Sequence, residues 1–230
     1  MKTQNTQFKG FKYLIWLIAL FFTSYAATLI LQNRVIAVGN LFVCAAIFAY
    51  PLSYTIADVI TEVYGYNISR QLIWSGIVSW IIIASLVEIS IHMPIPPFWM
   101  QYDKAYDFVM APVFRGVLLG VASVVIGQFI NIYMMTKLKI KTKGKYFILR
   151  SIASTAVGDF ITVVLALFGV FSGRMPATNI TGIIFYEYIF MIIYAIVMSI
   201  PAAMIAAHLK KLENIEVYDF STNFNPFKFK

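Results

Sequence analysis

Three apolar stretches carry polar groups of a kind that a membrane helix normally avoids. Asp58 and Glu62 stand at i and i+4 in YPLSYTIADVITEVYGYNISR, residues 50 to 70, with Tyr54 on the same face. Gln128 and Asn131 stand at i and i+3 in a run rich in small residues that includes Gly120, Ser123 and Gly127. Asp159 follows Gly158, with Thr155 and Thr162 at i−4 and i+3, and is the thirteenth residue of the run from Phe147 to Phe171. A carboxylate at the centre of a membrane helix costs roughly 2.5 to 3.5 kcal/mol on insertion scales, so each needs a reason to be there.

For Asp159 the central depth argues for function. Intramembrane carboxylates face the bundle interior or a water-filled cavity, where they accept hydrogen bonds from a ligand or carry a proton. Asp58 and Glu62 have two readings: an interfacial anchor at the far end of a long span, or a cavity-lining face of the kind found where transporter helices are interrupted. The two amides either lock helices together, for about 1 kcal/mol, or bind a ligand.

The elements that position these groups are helices in a bilayer. With 60% hydrophobic and 12% charged residues over 230 positions, the chain is not a soluble domain. Apolar runs too long for core helices occur at about 13–31, 35–64, 72–91, 113–135, 147–171 and 180–209. The expected fold is an all-α polytopic membrane protein with six transmembrane helices over residues 1–212 and a short cytoplasmic tail, 213–230. The second span is long for the bilayer, which predicts a tilt or a break near Pro51, and Gly65 ends it. An outer connection, residues 93 to 111, is rich in Pro and aromatic residues; it reads as an interfacial belt or as a lid.

Of the 18 Lys and Arg, 14 fall at the ends and in the even connections, so the positive-inside rule places both termini in the cytoplasm. The net charge of +8 is therefore topology, and nucleic acid is not an expected partner. Arg70 is a partner for Glu62 or obeys the same bias, and Arg115 is a partner for Glu187. Cys44 is the only cysteine, which excludes an intrachain disulfide and a cysteine metal site. No HExxH, GxSxG or His-rich set is present, so neither an enzyme nor a metal or cofactor site is expected.

Several segments together resemble the vitamin uptake transporter family, bacterial inner-membrane carriers of queuosine precursors. They are YPLSYTIADVITEVYG with Arg70, the GQFIN that leads into TKLK, LRSIAST with Gly158, and the Ile-Pro of the last span. The resemblance implies six helices, a multi-pass inner-membrane location, and uptake of 7-cyano-7-deazaguanine or its 7-aminomethyl relative for tRNA modification. The partners implied are a purine-like small molecule and the lipid bilayer, and a homo-oligomer is compatible with it. A guanine-like edge offers parallel N–H donors that a carboxylate accepts in bidentate fashion, a role for Asp159, while Gln128 reaches the ring carbonyl. Asn131 adds a polar contact, as Asp58 and Glu62 do if they line the cavity, and Tyr54, Phe160 or Trp74 offers a stacking face.

Two departures stand out. The family commonly has its acid three or four residues after the span-five glycine, where Thr162 stands here, and an acid at the Asn131 position, which would favour the cationic aminomethyl form. A substrate-binding subunit of an energy-coupling-factor importer, dependent on partner subunits, is the alternative reading.

Overall fold

The computed structural model describes residues 11–39, 41–172 and 176–228, so Lys2, Lys9, Arg174 and Lys230, which entered the charge count, lie outside the described residues. Six α-helices follow the chain: α1 Leu14–Leu31, α2 Tyr50–Tyr64, α3 Tyr66–Ile91, α4 Met100–Lys141, α5 Phe147–Phe171 and α6 Ala177–Glu213. All of these except α2 are long and apolar enough to cross a bilayer. At 15 residues, or about 22 Å, α2 falls short of a hydrocarbon core of about 30 Å.

The stretch 35–64 is therefore not one broken or tilted helix. Its first part is a two-stranded antiparallel hairpin, β1 Val35–Val38 and β2 Leu41–Cys44, paired Val35 to Cys44 and Val38 to Leu41. A 3-10 turn, Ala45–Phe48, then leads into α2. The β-branched residues Val35, Ile36, Val38 and Val43 suit strands, and a two-residue connection beginning at Gly39, φ 62°, closes the turn. Apolarity alone does not separate such a hairpin from a membrane helix. Pro51 opens α2 rather than breaking it, since the first helical turn has no use for its missing N–H.

The other boundary that moves is at α4. Residues 100–111, expected in a connection, form its first turns after a 3-10 turn at Pro97–Trp99, with Asp103 favourably placed near the helix N-terminus.

The helix ends sort into two layers. Tyr13 N–H donates to Glu213 Oε1 at 2.8 Å and Tyr64 O–H to the same oxygen at 2.9 Å, which brings the start of α1 and the ends of α2 and α6 to one end of the bundle. Lys139 Nζ donates to the Glu62 carbonyl at 2.6 Å, adding the end of α4. At the opposite end, Cys44 N–H donates to Glu187 Oε1. Glu187 and Glu213 are 26 residues apart on α6, about 39 Å, so the 3-10 turn and α2 together run nearly the height of the bundle.

Residues 215–228 lie across the first of these ends. Asp219 Oδ2 accepts Tyr66 N–H at 3.0 Å at the start of α3, just after Gly65, whose φ is 87°. Arg70 donates to the carbonyls of Asn223 and Asn225 at 3.2 and 3.0 Å, and Lys139 to that of Val217 at 2.7 Å.

Helices α4 and α5 meet at Gly127 and Gly158. A Cβ at Gly158 would lie 2.7 Å from the Gly127 carbonyl, and one at Gly127 would strike the Gly158 carbonyl and the Thr162 hydroxyl. Small residues let membrane helices approach this closely. Gly127→Val is expected to cost about 1 to 3 kcal/mol by overpacking and to lower the detergent melting temperature. Gly182→Ala, whose new methyl meets nothing within 4 Å, is the control that should not.

Candidate functional site

Helix α2 sets the axis of the site. Tyr50, Tyr54, Asp58 and Glu62 recur every fourth residue, so they line one face, and all four are buried. Helix α4 contributes Gln128, Asn131 and Lys139, and the antiparallel α5 contributes Arg150, Ser151, Thr155, Asp159 and Thr162, all buried. The three helices thus build a polar column between the two ends of the bundle.

At the hairpin end the column opens into a cavity of about 330 Å³. Trp80, Tyr50, Thr162, Gln32 and Glu187 line it, together with apolar residues of α1, α4 and α5. Its size is at the lower end of small-molecule pockets. Phe108 and Pro112 also line it, so one end of the expected lid segment reaches the cavity as part of α4.

Below the cavity the Tyr54 and Thr162 hydroxyls bond at 2.8 Å, and Tyr50 O–H donates to the Tyr54 oxygen at 3.4 Å. Asp159 is fully buried with the Tyr54 hydroxyl nearby, yet no donor among the described residues meets either carboxylate oxygen at hydrogen-bond geometry. Gln128, also fully buried, has no partner at hydrogen-bond geometry for its amide oxygen or nitrogen, and the Tyr25 hydroxyl of α1, likewise without one, lies close by.

One tier further, Asp58 is satisfied by the protein itself. Asn131 Nδ2 donates to Oδ1 at 2.8 Å, and Ser151 and Thr155 donate to Oδ2, the latter at 3.2 Å. Asp58 is therefore an interior group, not an interfacial anchor.

At the base, Glu62 binds three cations. Arg150 Nη1 lies 2.8 Å from Oε2, and Lys210 and Lys139 lie 2.6 and 3.7 Å from Oε1. Arg70, one expected partner, is instead held by the tail. Glu187 likewise takes the Cys44 N–H, while Arg115 is exposed.

Of the residues singled out by sequence, Tyr54, Asp58, Glu62, Gln128, Asn131 and Asp159 come together on one axis. Trp74 does not: its indole N–H donates to the Pro226 carbonyl at 2.8 Å, and its ring packs on Phe129 and Phe227. Phe160 is half exposed and packs on Tyr188. The aromatic residues of the cavity wall are Tyr50, Trp80, Phe108 and Phe171, none of which sequence reasoning offered as a stacking face. Tyr50 carried a signal, being one more i−4 step along the Tyr54, Asp58, Glu62 face, and Trp80 carried none. Arg150, Lys139 and Lys210 were hidden among the basic residues that set topology.

A family model described as "Putative vitamin uptake transporter" matches residues 44–206, more than half of the chain. The chain belongs to that family. No curated protein and no solved structure matches it significantly. The vitamin uptake transporter match begins at Cys44, so it covers all of α2 through α5 and most of α6, and it contains the column from Tyr50 to Thr162. The tail that lies across the base, and Lys210 with it, falls outside the matched span. Membership makes the chain a membrane transport protein.

Proposed function

We propose that the chain is an inner-membrane carrier that brings a queuosine precursor, 7-cyano-7-deazaguanine or 7-aminomethyl-7-deazaguanine, into the cytoplasm. The observation that carries the reading is the unpaired set of Asp159 and Gln128 at the core of a transporter-family bundle, next to a cavity. A buried carboxylate without donors is costly, and the adjacent N–H groups of a guanine-type edge are the donors it lacks. The Gln128 amide supplies a donor for the ring carbonyl, and Trp80 and Tyr50 offer faces on which a planar base stacks.

In this reading the base of the bundle is cytoplasmic, because 11 of the 14 described Lys and Arg lie at or near that end. The cavity then faces outward, the 3-10 turn with α2 makes a composite sixth crossing, and both termini are cytoplasmic. The Tyr50, Tyr54 and Thr162 hydroxyls separate the cavity from Asp159, so passage inward begins by exchanging their mutual bonds for bonds to the solute.

The test uses bacteria that lack both precursor synthesis and their own carrier, supplied with this gene and a low dose of 7-cyano-7-deazaguanine. Queuosine is expected to return to tRNA. Its absence, with the protein confirmed in the membrane, contradicts autonomous uptake of this cargo and leaves the partner-dependent importer as the alternative to test.

A further inference from the structure

The cavity contains one charged side chain that the reading above leaves without a task. Glu187 of α6 is only 4% exposed, and every other described residue of the cavity wall is neutral. Its Oε1 accepts the Cys44 N–H at 2.5 Å, which ties the hairpin to α6. Among the described residues no Lys, Arg or His forms an ion pair with it, and no second hydrogen bond reaches its carboxylate. One backbone donor offsets only part of the cost of burying a carboxylate.

The surroundings point to what completes it. Gln32 Nε2 is buried in the same wall with no acceptor, ready to donate to a ring nitrogen or carbonyl. The Trp80 and Tyr50 rings suit a flat ring and also attract a cation.

We propose that Glu187 is a specificity residue that receives a protonated amine carried by a flat heteroaromatic ligand, so that the cavity selects an aminomethyl-bearing ring over its uncharged relatives. The identity of the ring rests on the function proposed above, whereas the preference for a cationic arm rests on Glu187 alone. An acid at the Asn131 position would favour the cationic form, and this chain lacks it. Glu187 supplies an acid from a different helix.

The experiment is calorimetric binding to the purified protein of 7-aminomethyl-7-deazaguanine, of its neutral 7-hydroxymethyl isostere and of the 7-cyano form. The wild type is expected to bind the aminomethyl form about tenfold or more tighter than the hydroxymethyl form. In Glu187→Gln, which keeps an oxygen for the Cys44 N–H, the two are expected to bind within about twofold of each other. The wild-type comparison needs no variant and stands even if Glu187→Gln does not fold. Equal wild-type affinities, or a preference that survives in Glu187→Gln, overturn the role of Glu187 and leave the carrier reading intact. Failure of all three molecules to bind overturns both.

Discussion

Asp159→Asn is expected to abolish precursor uptake while the protein still accumulates and melts normally. The two halves of that outcome have one cause. Both carboxylate oxygens are buried and neither accepts a hydrogen bond from the described residues, so the fold loses no internal bond when one oxygen becomes an amide nitrogen. Removing an uncompensated buried charge is neutral or stabilising. In the proposed carrier the deazaguanine, by contrast, loses an acceptor and meets a donor facing its own donors. Breaking a charge-assisted contact of this kind costs about 2 to 5 kcal/mol, or roughly 30-fold to several thousand-fold in affinity. Queuosine in tRNA and a detergent melting curve report the two halves separately. Near-normal uptake in the variant would take Asp159 out of the site.

Asp58→Asn is the instructive contrast, because Asp58 already holds donors from Asn131, Ser151 and Thr155, and its replacement disturbs internal structure.

Glu62→Gln is expected to damage the fold itself. Glu62 is the buried carboxylate among Arg150, Lys139 and Lys210, with the exposed Glu216 reaching Lys210 alone at 3.3 Å, and through these cations it joins α2 to α4, α5 and α6. Without its charge, Arg150 and Lys139 stay buried beside each other with no counter-ion, since Arg150's other donors reach the Lys145 and Gly144 carbonyls, which are neutral. Removing one partner of a buried pair costs about 3 to 5 kcal/mol. For a chain of this size that corresponds to a fall of roughly 6 to 20 °C in melting temperature. The double variant Glu62→Gln with Arg150→Met removes a cation along with the anion and should recover part of the loss. A Glu62→Gln protein that melts with the wild type would show that the cluster is not what holds this end together.

How far the sequence alone reaches follows from what each signal encodes. The column was legible in part because polar residues are conspicuous in apolar runs: the depth of Asp159 points to the interior, whereas the spacing of Tyr54, Asp58 and Glu62 suits an interfacial anchor as well as a cavity face, and the Gln128 and Asn131 pair suits packing as well as binding. Gly158, next to Asp159, leaves room for a close approach to the backbone, and what approaches it is Gly127 on α4.

Other features were not legible. Val35 to Cys44 is as apolar as a membrane helix, and only its β-branched residues and the short turn at Gly39 signal a hairpin. Arg150 and Lys139 count toward the same charge bias as exposed lysines, so charge counting does not reveal that they are buried on Glu62. The contacts of Arg70 and Trp74 with the tail join residues more than 150 positions apart, a distance over which local spacing carries no information.

The central claim is that this bundle alone moves a deazaguanine through the axis that Asp159 lines. Its most direct measurement is uptake of labelled 7-cyano-7-deazaguanine into liposomes that contain only the purified protein. Saturable uptake above that of empty liposomes, competed by excess unlabelled compound and lost in Asp159→Asn, is the predicted result. Uptake equal to that of empty liposomes, from protein shown to be folded and inserted, would contradict it.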